Sequence, residues 1–97
     1  MTTWSAQLSA DFNANVGGVS SVWKDISNNY LTWNPSTQTI VDVITAGDTF
    51  IANSKVITLN VSIPQAVACN FQCGAANGGY FTISSDVTIY GNFTGTV

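Results

Sequence analysis

An excess of β-branched side chains limits what this chain can fold into more than any other feature. Val, Ile and Thr supply 30 of its 97 residues, Leu and Met only 4, and Glu and Arg are absent. Residues that best support helices are therefore scarce, while those that suit the pleated, half-buried surface of a sheet are abundant. With 45% apolar residues, including three Trp, three Tyr and five Phe, the chain has the bulk for one core and the length for one domain over residues 1–97. An all-β, single-domain fold is the expectation.

Period-two alternation places the strands. Trp4, Ala6, Leu8, Ala10 and Phe12 alternate with polar residues, which predicts a first strand ending at Asn15–Gly18. Trp4, Leu8 and Phe12 also recur at i, i+4 and i+8, so a helix is the alternative there. A run from Val19 to Ile26 precedes the turn-prone Ser27-Asn28-Asn29, and Tyr30 to Trp33 ends in Asn34-Pro35-Ser36. Thr39 to Thr45 is almost continuously β-branched and reads as a strand buried on both faces or at a subunit contact.

Thr49 to Ala52 predicts a short strand before an Asn53-Ser54 turn. The clearest alternation is Ile57, Leu59, Val61 and Ile63, closed by Pro64. Gln65 to Cys73, between Pro64 and Gly74, has the punctuation of a short helix. Tyr80 to Ser84 and Val87 to Val97 complete the set, with Gly91 and Gly95 on the apolar face of the latter, where a bulge or close backbone approach is expected. No internal repeat is evident. Short strands at this spacing predict an antiparallel β-sandwich or small barrel of about seven or eight strands, with room for one short helix.

The missing residue types remove whole classes of chemistry. Without His there is no Ser-His-Asp or Cys-His pair and no His-ligated zinc. Only Lys24 and Lys55 are cationic in a chain of net charge −3, which excludes nucleic acid as a partner. No apolar run approaches the roughly 20 residues of a spanning helix, so membrane insertion is not expected. Nothing resembling a secretory leader follows Met1, which predicts a cytoplasmic protein or one released without a classical signal peptide. Cys69 and Cys73 are too few for a disulfide scaffold, and in a strand they would stand about 13 Å apart, beyond bonding reach.

The five aspartates lack the flanking residues of an aspartic dyad, and no segment gathers enough carboxylates for a dedicated calcium site. No catalytic residue, metal or cofactor is therefore expected. Solubility rests instead on Thr, Ser, Asn and Gln, which make up 36 of the 97 residues. A neutral surface of hydroxyls and amides suits neutral ligands. The stretch Trp23 to Asn34 mixes rings that stack on a pyranose with groups that fix hydroxyls: Asp25, Asn28, Asn29, Tyr30, Trp33 and Asn34 are candidate ligand-binding residues. Asn77 and Tyr80, flanking Gly78-Gly79, form a second, smaller set.

In size, low charge and richness in Thr, Ser, Asn and aromatic residues, the chain resembles the small lectins of mushroom fruiting bodies, over its whole length but without a shared motif. The resemblance implies a soluble, fungal-type, non-enzymatic carbohydrate-binding protein. It also implies a homodimer, with galactosyl or related glycans of glycoproteins or glycolipids as its ligands. The competing expectation is a self-assembling structural or surface protein of the coat or tail type, whose hydroxyl-rich strands pair with copies of themselves. Lys55 is the one obvious charge guarding a strand edge against that.

Overall fold

The computed structural model describes residues 1–74 and 78–95. Among them, nine strands form: β1 (Thr3–Ala6), β2 (Ala10–Asp11), β3 (Ser20–Lys24), β4 (Tyr30–Thr32), β5 (Thr49–Ile51), β6 (Val56–Leu59), β7 (Cys69–Gln72), β8 (Tyr80–Ile83) and β9 (Gly91–Thr94). The short helix expected over Gln65 to Cys73 is not formed: Gln65–Val67 make one 3-10 turn and Cys69–Gln72 belong to strand β7. The fold is all-β in character, as the β-branched excess requires.

The expected antiparallel arrangement is corrected by the pairing. A six-stranded sheet runs β4-β3-β1-β5-β7-β9 and a three-stranded sheet runs β2-β6-β8. Only β1–β3 and β3–β4 are antiparallel; β1–β5, β5–β7, β7–β9, β2–β6 and β6–β8 are all parallel. The reason lies in the connections. After β5 the chain crosses to the other sheet as β6 and returns as β7, and a crossover of that length delivers the next strand in the same direction as the last.

The result is a stack of coils: β1 with β2, β5 with β6, β7 with β8, and β9 opening a fourth. Register makes columns of side chains. Trp4, Phe50, Phe71 and Phe93 are aligned across successive strands. Phe50 and Phe71 stack with centroids 5.9 Å apart, and Phe71 and Phe93 with centroids 4.8 Å apart. In the second sheet Ile57 aligns with Phe81 and Leu59 with Ile83. Polar columns run beside them: Asn92 Nδ2 donates to Asn70 Oδ1 at 3.4 Å, and the Thr58 and Thr82 hydroxyls share a hydrogen bond of 2.9 Å. A repeat is therefore present in space where none was evident in the sequence.

Residues 12–47 leave the coil and cover its first turn, with β3 lying antiparallel beside β1. Phe12 and Trp23 enter the core here, each with its ring against Phe50, at 4.9 and 4.8 Å between centroids. The expected strand Thr39–Thr45 is a turn instead. The Val43 and Ile44 amides both donate to the Ile40 carbonyl. Ile40 and Ile44, one helical turn apart, are both buried within the chain. Tertiary burial overrides β propensity at this point.

The first predicted strand is split. Gln7–Ser9 forms a corner that carries the chain from one sheet to the other, so Leu8 faces solvent while Ala6 and Phe12 are fully buried. Neither half is helical. The close approach expected at Gly91 and Gly95 is found: a Cβ at Gly91 would collide with the Cys69 carbonyl oxygen, and one at Gly95 with that of Cys73. Cys69 and Cys73 are free thiols at the start of β7 and just beyond its end.

Candidate functional site

The sequence-predicted site residues fall into separate places. Asp25, Asn28 and Asn29 form the tip of the β3–β4 hairpin, and the tip is closed by the aspartate itself. Asp25 Oδ1 accepts from the Ser27 amide at 3.0 Å and the Asn29 amide at 2.9 Å, while Asn28 adopts a left-handed conformation, φ 69°. This is the turn chemistry of Asx residues, and it commits that oxygen to the backbone. Tyr30 follows, 41% exposed, with Lys24 Nζ lying 4.7 Å from its ring centroid.

Trp33 and Asn34 sit at the other end of β4, about 10–13 Å along the chain from Tyr30 at strand rise. Trp33 is half-buried and its indole N–H donates to the Asn13 carbonyl at 3.0 Å. Asn34 Nδ2 donates to Asp42 Oδ2 at 2.9 Å, and Asn34 Oδ1 accepts from the Ser36 amide at 2.9 Å, closing the turn before Thr39. Tyr80 opens β8 in the other sheet and is exposed. Asn77 lies outside the described residues. The structure thus groups Asp25, Asn28, Asn29 and Tyr30 at one hairpin tip, and places Trp33 with Asn34, and Tyr80, elsewhere.

The remaining indoles also serve the fold. Trp23 Nε1–H donates to the Phe12 carbonyl at 3.1 Å inside the core, and Trp4 Nε1–H to Asp48 Oδ2 at 3.3 Å. Asp48 is buried and accepts two further amides, from Thr2 at 2.8 Å and Thr45 at 3.1 Å. Its carboxylate ties β1 to the loop ahead of β5. Burial pushes the Cys69 thiol up to about 11, reinforced by the nearby Asp48 carboxylate. A thiol held protonated, with Sγ against the Val67 carbonyl at 3.0 Å, is no nucleophile near neutral pH.

Among the described residues, no three His, Cys, Asp or Glu side chains gather to hold a metal ion, and no helix is long and apolar enough to cross a membrane. No protein-family profile, curated protein or solved structure matches the chain.

The surface that sequence reasoning missed is the last rung of the stack. The inward columns end on Phe93 and Ile83, which remain 44% and 54% exposed although their predecessors Phe71 and Leu59 are fully buried. Both lie on edge strands, β9 and β8, whose outer backbone groups have no strand beside them among the described residues. The signal was present as a polar-Phe pair recurring at Thr49-Phe50, Asn70-Phe71 and Asn92-Phe93. Spacings of 21 and 22 residues conceal it, because the intervening loops differ and the aligned Thr58 and Thr82 of the second sheet recur at another spacing, 24.

Proposed function

We propose that the chain is a non-catalytic structural module, of the coat or surface-subunit type, that works by self-association through unpaired strand edges. One observation carries this reading: side-chain columns that are buried along the stack end on half-exposed Phe93 and Ile83, at edge strands without a charged residue. Natural sheets usually guard such edges with Lys, Pro, a bulge or a covering segment, and an edge left apolar and uncharged is a template for pairing. Sedimentation velocity over a concentration series tests the reading. Association that grows with concentration is expected, and a monomer at every concentration overturns it.

A second reading, a lectin for neutral, galactosyl-type glycans, is favoured by the exposed Tyr30 ring beside Asn28 and Asn29 at the hairpin tip. There an exposed ring, with Lys24 Nζ over it, follows two exposed asparagines in the chain, the residue types that sugar recognition combines. A glycan array probed with the same preparation separates the two. A hit lost in Tyr30→Ala supports the lectin, and a blank array removes it.

A further inference from the structure

The two ends of the stack differ in a way that selects a partner. At the first end the outermost strands are short and guarded. β2 has two residues, one of them the exposed Asp11, and β4 has three, flanked by Lys24 and Asp25 across the hairpin. Residues 12–47 also cover the first coil. At the other end β8 and β9 have four residues each, with no charge and no proline.

Charge is partitioned the same way. Neither β8 nor β9 contains a charged residue, and the charges nearest to them are of opposite sign: Lys55, whose carbonyl accepts from the Tyr80 amide at the start of β8, and exposed Asp86 in the turn between the two strands. An end so nearly neutral cannot steer or pair a charged partner. It meets its own copy with almost no repulsion.

From this asymmetry we infer that two copies of the chain join through their β8–β9 ends, forming a closed dimer whose covered ends point outward. The inference rests on the structural reading above and names its partner. A second copy presents what each end lacks: edge N–H and C=O groups to complete the ladder, and a half-covered Phe93 and Ile83 to bury against their counterparts. A soluble glycan offers neither an in-line ladder nor an apolar face of that kind. Because the contact is the same patch on both copies, and the opposite ends are guarded, the assembly stops at two.

The test is sedimentation equilibrium of the full chain across a concentration series, alongside Ile83→Lys, Phe93→Lys and, at the guarded end, Thr32→Lys. The expected result is a monomer–dimer equilibrium in the wild type and Thr32→Lys. Either end variant should weaken dimerisation by about tenfold or more, since each places an unpaired charge in the contact. Near-UV circular dichroism checks that each variant is folded. The Ile83 side chain is more than half exposed, so that variant decides the outcome if Phe93→Lys fails to fold.

Amide exchange gives an independent readout, with protection of β8 and β9 rising with wild-type concentration. A dimer that survives both end variants, or protection that rises elsewhere, overturns the inference while leaving the structural reading standing. Assemblies that lengthen with concentration overturn the closed, two-copy form. A wild type that stays monomeric throughout overturns both.

Discussion

Truncating the aromatic column one ring at a time should reveal its direction. Phe71 is fully buried, with Phe93 at 4.8 Å, Phe81 at 5.5 Å, Phe50 at 5.9 Å and Phe12 at 6.1 Å between ring centroids. Phe71→Ala removes a buried ring at the centre of this cluster and leaves a cavity, a loss of about 3–5 kcal/mol, with four aromatic contacts arguing for the upper half of that range. A domain of this length has about 5–15 kcal/mol in all, so the variant should be marginal at 37 °C. The corresponding fall in melting temperature is about 15–30 °C.

Phe50→Ala should cost a similar amount, because Phe50 is equally buried against Phe12, Trp23 and Phe71. Phe93→Ala should cost about 1–2 kcal/mol, since roughly half of its ring is already in water and no closed cavity results. Urea unfolding followed by tryptophan fluorescence, which reports on buried Trp23, measures all three. Working at the lowest practical concentration minimises any contribution from association. Equal losses at the three positions, or a larger loss at Phe93, would refute the stacking order.

Gly91→Ala should destabilise by about 1–3 kcal/mol, because its methyl group meets the Cys69 carbonyl and the Phe71 ring, and amide exchange should show the loss concentrated in β9. Asp48→Ala strands the Thr2, Thr45 and Trp4 donors together and should lower the urea midpoint by the equivalent of about 2–4 kcal/mol, with faster exchange at the Thr2 and Thr45 amides. Cys73, half-buried, should be alkylated before buried Cys69 at pH 8, as mass spectrometry after brief labelling will show. The Cys69 thiol is raised in the fold from 9.0 to about 11, so the folded state holds its proton longer than the unfolded chain does. Its contribution to stability is therefore complete below pH 9 and is lost as pH rises toward 11, and Cys69→Ala should flatten that part of the pH–stability curve.

Much of the local structure was legible in the sequence because burial obeys a simple period. Ile57 and Leu59 alternate as a half-buried strand should and are fully buried in β6, but that strand ends at Leu59, and Val61 and Ile63, expected to continue it, lie beyond it, Ile63 buried at an isolated bridge to Ile89. Gly91 and Gly95, read as points of close approach, lie against the carbonyls of the neighbouring β7 segment. Where the period failed, packing had intervened. Leu8 continues the alternation of Trp4 and Ala6 but falls on the corner between two sheets, while Ile40 and Ile44 are buried by a turn that supplies four-residue spacing. The candidate binding stretch was legible as composition only. The tryptophans it contains, Trp23 and Trp33, donate their indole N–H groups inward, which no local pattern announces.

Composition alone settled the all-β character, because a chain rich in Val, Ile and Thr and lacking Glu and Arg has little from which to build helices. It also excluded histidine chemistry outright. What composition and periodicity leave open is which strand lies beside which, since parallel and antiparallel neighbours share the same inward–outward alternation. That choice was made in three dimensions. From β5 to β9 each connection crosses to the opposite sheet, so the next strand returns in the direction of its predecessor, and the register that buries Phe50 on Phe71 leaves Phe93 and Ile83 uncovered at the end of the stack.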